Sequence, residues 1–125
     1  MQLHIAPHIL IAGVQEEFNR TFPFLKLEFF RYKDDGRNGG EDLVFPPDKS
    51  MAECGAVIQE GVIEIEETMQ VSTLEQLLKE RFGLHVQVYR RSVNLWLQTT
   101  ITDHWSLQKQ NEHGMEISSN NIHQK

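Results

Sequence analysis

The chain has 125 residues, of which 39% are hydrophobic and 24% are charged, and its formal net charge is −6. This length and composition indicate one globular domain with a buried core, and exclude a disordered chain. Residues 51–75 carry six glutamates and no lysine or arginine. Nucleic acid is therefore an unfavoured partner, because binding it requires cations that neutralise phosphates.

Cellular location is bounded by two features of the sequence. The single cysteine, Cys54, excludes a disulfide within the chain and suits a reducing compartment. The apolar stretch at residues 1–14 is interrupted by Pro7 and two histidines and lacks a basic start. It is too short to cross a bilayer and does not resemble a signal peptide, so we expect a cytoplasmic protein without a membrane partner.

The first third of the chain predicts a β-α-β unit. Alternating apolar residues predict strands at 3–5 and 25–29. Between them, apolar residues three or four apart predict a helix at 12–22, which ends before Pro23. Residues 32–48 are rich in Gly, Asp and Pro and predict a flexible internal loop. Ser50, followed three residues later by Glu53, is a candidate start for a short helix.

The second half predicts the same order of elements again. A strand at 63–66 precedes a helix for which Ser72 and Glu75 form a candidate capping box and Gly83 a candidate C-cap. A strand at 84–88 and another at 93–98 predict an antiparallel hairpin. A short helix is predicted at 106–113 and ends at Gly114. Residues 115–125 are polar and are predicted to form a disordered tail.

The two halves also resemble each other in sequence. Residues 22–31 read F-P-F-L-K-L-E-F-F-R and residues 82–90 read F-G-L-H-V-Q-V-Y-R, so that Leu25, Leu27 and Phe29 align with Leu84, Val86 and Val88. Two β-α-β units in tandem predict an α+β fold with a ferredoxin-like sheet, an added C-terminal hairpin strand and a short terminal helix. A β-grasp-like or another mixed α+β sheet is the alternative. The predicted domain covers residues 1–114.

The outer face of the predicted sheet is the best candidate for a binding surface. Alternation places Leu95 and Leu97 among the buried residues and Phe30, Tyr89 and Trp96 on the opposite face among polar side chains. Three interpretations remain open. The C-terminal helix folds back and buries Trp105 and Leu107 against Trp96 and Tyr89; the face forms a homodimer; or it binds a peptide or small molecule.

The sequence gives less support for a metal-binding or catalytic site than for this binding surface. His4 and His85 could share the outer face with Glu64 and Glu66, which would suit a metal-binding protein or a small enzyme, but no ligand spacing supports such a site. Cys54 lies in acidic surroundings, where a buried structural thiol is expected and not a nucleophile. We therefore predict no metal, no cofactor and no catalytic residue.

The runs F-P-F-L-K-L-E-F-F, F-G-L-H-V-Q-V-Y-R-R-S and N-L-W-L-Q-T-T-I-T-D-H-W resemble a family of small uncharacterised bacterial proteins. The resemblance spans most of residues 1–114, and the family has no assigned activity. From the outer sheet face we expect a non-enzymatic binding or protein-interaction module, with a homodimer as one form. Its candidate binding residues are Phe30, His85, Tyr89 and Trp96.

Overall fold

The computed structural model describes residues 1–31, 44–55 and 59–123, with side chains in the last segment as far as residue 119. The elements in chain order are β1 (Gln2–Ile5), α1 (Ile11–Thr21), β2 (Leu25–Phe30), α2 (Met51–Cys54), β3 (Gly61–Glu64), α3 (Val71–Phe82), β4 (His85–Ser92), β5 (Leu95–Gln98) and α4 (Leu107–His123). The predicted α+β class is confirmed.

The strands of the described residues form two antiparallel sheets. One contains β1 and β3, with Leu3 opposite Ile63, and the other has the order β2-β4-β5, with Leu27 opposite Val88. The predicted hairpin is confirmed, since β5 pairs with β4 at the edge of the larger sheet. A single ferredoxin-like sheet is not confirmed, because the strands are divided between two sheets.

The hydrophobic core lies where α1 and α3 meet the two sheets. Phe18 of α1, Leu78 of α3 and Leu3 of β1 are fully buried, as are Leu27 and Val88 of the larger sheet. Each such side chain contributes about 1.5–3 kcal/mol of stabilisation when it is removed from water. The apolar residues at helical spacing and those that alternate along the strands therefore pack into one shared core.

Helices α1 and α2 begin side by side and satisfy each other's first amide groups. Leu10 and Ser50, which precede them, form an isolated antiparallel bridge. Ile11 N–H donates to the Lys49 carbonyl and Met51 N–H donates to the Ile9 carbonyl, both at 2.8 Å. The unpaired N–H groups of each helix start thus find carbonyls of the other segment.

Helices α3 and α4 repeat this arrangement. Gln70 and Ser106 form the bridge. Val71 N–H donates to the Trp105 carbonyl at 3.0 Å and Leu107 N–H donates to the Met69 carbonyl at 2.8 Å. The same pattern of donors and acceptors therefore occurs once in each half of the chain.

The helix ends confirm some predictions and correct others. Ser50 and Glu53 form the predicted capping box of α2, and Gly83 has the predicted left-handed conformation (φ 68°) after α3. The capping box predicted at Ser72 and Glu75 is wrong, because α3 begins at Val71 and its N-cap, Gln70, makes no side-chain bond. The first N–H groups of α3 are satisfied by main-chain carbonyls instead.

The predicted ends of two segments differ from the structure. Helix α4 continues to His123, whereas the sequence predicted its end at Gly114 and a disordered tail beyond. Gly114 lies inside the helix because its missing side chain allows close packing on β2 and β4. Of the predicted flexible loop 32–48, residues 32–43 lie outside the described residues, and Val44 forms a bridge with Phe30.

Candidate functional site

One face of the larger sheet carries most of the predicted binding residues. Along β4 this face presents His85, Gln87, Tyr89 and Arg91, because alternate residues of a strand point to the same side. Their cross-strand neighbours on the same face are Phe30, Glu28 and Lys26 of β2 and Gln98 and Trp96 of β5. We call this surface the outer face.

Trp96 is held on the outer face between two cations. The Lys26 Nζ atom lies 5.0 Å and the Arg91 guanidinium 5.2 Å from the centre of its ring. Both cations are themselves fixed, since Lys26 pairs with Glu28 at 2.9 Å and the Arg91 Nε–H donates to the Val93 carbonyl at 2.7 Å. These contacts orient a half-buried indole without covering it, and each is worth about 0.5–1 kcal/mol at such a site.

The structure brings Tyr89 near Trp96 but separates Phe30 from both. Gln98, two residues after Trp96, donates to the Tyr89 hydroxyl at 3.1 Å. Phe30 pairs with His85 at the opposite end of the outer face and is only 3% exposed. The predicted platform of three aromatic rings is therefore reduced to Tyr89 and Trp96.

Among the described residues, helix α4 does not cover Trp96, although such cover was one of the three interpretations of this face. It packs on the other face of the sheet, where Gln110 accepts a hydrogen bond from Arg90 and Asn111 accepts one from Phe24 N–H. Trp105 contacts Arg90, Lys109 and His113 there, and Leu107 is buried in the core. Burial of Arg90 against α4 lowers the pKa of its guanidinium.

Strand β5 forms an edge of the larger sheet, and its apolar side chains are exposed. Leu95 and Leu97 are 61% and 42% exposed, although the sequence predicted them in the core. They lie on the α4 side of the sheet, but β5 is the outermost strand and α4 packs mainly on β4 and β2. In the described residues, β4 is the one strand that pairs with β5.

The sequence placed β5 at an edge of the sheet but missed the exposure of Leu95 and Leu97, although a signal was present. Residues 92–102 form a run of eleven residues without a charged side chain or a histidine, in a chain of net charge −6. Alternating hydrophobicity was interpreted as burial because most strands of this pattern bury one face. Charged side chains on an edge strand usually prevent it from pairing with a strand of another molecule. The absence of charge around β5 therefore indicates an edge that can accept a second strand.

A cleft lies between α3 and the part of β4 that extends beyond β5. It has a volume of about 260 Å³ and is lined by Ser72, Glu75, Gln76, Lys79, Leu84, His85, Val86 and Asp103. His85 is the predicted binding residue that lines it, whereas Asp103 was not predicted. Since Asp103 follows β5 by several residues, only the folded chain brings it to α3, through a bond from Ser72 N–H to its carbonyl at 2.8 Å.

The structure does not assemble the alternative site built on histidines and glutamates. His4 lies on β1 and bonds Glu60 at 2.9 Å, whereas His85 lies on the other sheet. No group of three or more His, Cys, Asp or Glu side chains suited to a metal occurs in the described residues. Cys54 is buried, and this burial raises the pKa of its thiol to about 11, which keeps the thiol protonated and unreactive near neutral pH.

Comparisons with protein-family models, with curated proteins and with solved structures found no match for this chain. The resemblance to small bacterial proteins thus stays a prediction. None of the described helices is both long and apolar enough to traverse a bilayer. The site must therefore be interpreted from its own geometry.

Proposed function

We propose that this protein is a non-enzymatic interaction module that self-associates, with β5 of one copy pairing with β5 of a second copy. The observation that carries the proposal is an open strand edge with two exposed leucines, Leu95 and Leu97, in an uncharged segment. The outer face contributes Trp96, which Lys26 and Arg91 hold in place beside this edge.

The edge of β5 lacks the features that keep strands apart. Natural edge strands are protected by charged side chains, proline or bulges, since their unpaired main-chain groups otherwise recruit another strand. Residues 95–98 read L-W-L-Q and contain none of the protective residues, and their pairing with β4 is regular over four positions. A second strand can pair with the main-chain N–H and carbonyl groups of such an edge.

The sequence of β5 is complementary to itself. When two copies pair antiparallel about a two-fold axis at Trp96, Leu95 of each copy lies opposite Leu97 of the other on one face of the sheet. The two Trp96 rings meet on the outer face. Apolar and aromatic cross-strand pairs contribute about 0.2–1 kcal/mol each. No like charges meet at the strands themselves, although each copy carries a net charge of −6.

Sedimentation velocity on the untagged chain over a wide range of concentration tests the proposal. We expect a species of twice the 14.6 kDa chain mass for the parent. Leu97→Lys should shift the equilibrium to the monomer, since it places a charge opposite Leu95 of the second copy. Val62→Lys is the matched control, because Val62 is 48% exposed on β3 of the other sheet. A parent that stays monomeric, or a Leu97→Lys variant that dimerises like the parent, would overturn self-association through β5.

We also infer that the chain is an internal duplication whose halves are related by a pseudo-two-fold axis. The repeated bonding at the bridges Leu10–Ser50 and Gln70–Ser106 supports this. The strand pairing supports it as well, since first strands pair with each other (β1 with β3) and second strands do the same (β2 with β4). Such antiparallel pairing favours this arrangement over a ferredoxin-like order.

Expression of residues 59–125 alone tests the duplication. We expect a folded homodimer in which β3 pairs with β3 and β4 with β4, because each copy then supplies the strands that the first half normally provides. Circular dichroism and sedimentation report folding and mass. An unfolded monomer would contradict the inferred equivalence of the halves.

A further inference from the structure

The cleft between α3 and β4 borders the part of the β4 edge with which no strand of the described residues pairs. Val88 directs its main chain away from β2, since its N–H donates to Glu75 Oε2 at 2.9 Å and its carbonyl accepts from Thr99. Alternate residues of an antiparallel strand direct their main-chain groups to the same side. Val86 therefore directs its N–H and carbonyl into the cleft that it lines, beyond the end of β5.

The corresponding edge in the first half of the chain is closed by side chains of α1. Gln15 donates to the Leu27 carbonyl at 2.7 Å and Asn19 donates to the Leu25 carbonyl at 3.0 Å. Leu27 aligns with Val86 in the duplicated sequence, and Gln15 aligns with Glu75. The carboxylate at position 75 has no hydrogen to donate to the Val86 carbonyl. A donor that the first half supplies from its own helix is thus missing from the second half.

We propose that the cleft binds a small molecule with a primary ammonium group, which donates to the Val86 carbonyl and to the carboxylate of Asp103. Glu75 adds a second negative charge to the lining. An ammonium group has three donors, so it can bond both the Val86 carbonyl and the Asp103 carboxylate and still have one donor left. The cleft volume of about 260 Å³ lies just below the usual range for drug-sized ligands, which limits the occupant to a small amine.

The surroundings of the cleft favour a cation over an anion. The first two N–H groups of α3 already donate to the Trp105 and Asp103 carbonyls and are therefore not available to an anion. Two carboxylates, one lysine and one histidine line the cleft, and Lys79 forms no ion pair with a carboxylate of the described residues. This inference uses the duplicated alignment but does not depend on self-association, since no β5 residue lines the cleft.

NMR titration of the isotopically labelled full chain tests the proposal, with ethylammonium chloride as the probe. We expect saturable shifts of the Val86, His85 and Ser72 amide signals. Tetramethylammonium is the control probe because it has the same charge but no hydrogen to donate. Asp103→Asn should weaken binding at least tenfold, and because Asp103 bonds α3 through its main-chain carbonyl, which the substitution keeps, the fold should persist. Asp48→Asn, the same change at an exposed position before α2, is the matched control variant.

Each outcome of the titration decides the proposal. Saturable binding of ethylammonium that is weakened by Asp103→Asn and unchanged by Asp48→Asn would support it. Three results would overturn it: no saturable shift, equal shifts with tetramethylammonium, or equal affinity in the parent and Asp103→Asn. Acetamide is a neutral donor, and if it bound as tightly as ethylammonium, the ligand class would be carboxamides and the ammonium proposal would be wrong.

Discussion

The carboxylate of Glu75 on α3 accepts a hydrogen bond from the main-chain N–H of Val88 on β4, at 2.9 Å. The same oxygen accepts a bond from the Gln87 side chain at 3.2 Å. The Glu75 side chain thus accepts the main-chain hydrogen bond that a neighbouring strand would otherwise accept, at the point where the pairing of β5 with β4 ends. This contact holds α3 against the sheet and forms one wall of the cleft.

Glu75→Ala should destabilise the protein by about 1–3 kcal/mol, because it removes the acceptor of the Val88 N–H and one acceptor of the buried Gln87 amide. Urea unfolding followed by circular dichroism measures the change. Glu80→Ala is the control on the same helix, since Glu80 is exposed and its hydrogen-bond partner among the described residues is the neighbouring Gln76. Its effect should stay within about 0.5 kcal/mol of the parent. Equal losses in the two variants would show that the Val88 contact adds no stability.

Gly114→Ala should destabilise the protein although alanine favours helices. A Cβ atom at this position would lie 3.0 Å from the Phe24 Cβ atom and 3.2 Å from the Arg91 carbonyl oxygen, neither of which is a flexible side-chain end. Overpacking of this kind costs about 1–3 kcal/mol, which exceeds the helix-propensity gain of about 1 kcal/mol. Thermal unfolding measures the difference.

Met115→Ala is the control for this variant, because Met115 is the next residue of α4 and is exposed. It should leave the midpoint of thermal unfolding nearly unchanged. A stabilised Gly114→Ala variant would mean that α4 packs less closely on β2 and β4 than the structure shows.

The buried thiol of Cys54 should make stability fall at alkaline pH. Its pKa is raised to about 11 in the folded protein, against about 8.5 for an unfolded cysteine. Between these values the unfolded state loses its proton first, so the contribution is full below about pH 8.5 and is lost as pH rises towards 11. The decline should approach about 1.4 kcal/mol per pH unit at most.

Urea unfolding of the parent and of Cys54→Ala at a series of alkaline pH values isolates this effect, because tyrosines and lysines titrate in both proteins. The parent should lose more stability with pH than the variant. Parallel pH profiles would show that Cys54 ionises as readily in the folded chain as in the unfolded one.

Local structure was predictable from the sequence because it depends on local spacing. The alternation of Leu25, Leu27 and Phe29 predicted β2, and Gly83 predicted the end of α3. Pairing between distant strands was not predictable in this way, since β1 could join either sheet with the same side chains buried. The strand of Leu95 and Leu97 was predicted, but its exposure depends on which strand lies at the edge.

The candidate site was predictable only where strand alternation defines it. Tyr89 and Trp96 were correctly placed on one face, because register follows from a short hairpin. The burial of Phe30 and the approach of Asp103 to α3 were not predictable, since both depend on packing between segments far apart in sequence. Glu75 was assigned to a helix cap because the capping-box spacing is local, whereas its actual partner, Val88, is thirteen residues away.

Oxidative cross-linking at position 96 tests the proposed pairing of β5 most directly. In a Cys54→Ala background, Trp96→Cys places the two new thiols opposite each other on the two-fold axis, within the reach of a disulfide. Gln98→Cys is the control, because its two copies would lie about 14 Å apart, given a rise of about 3.4 Å per residue. The account predicts a covalent dimer for Trp96→Cys and a monomer for Gln98→Cys on a non-reducing gel. No dimer at position 96, or equal dimer at both positions, would contradict it.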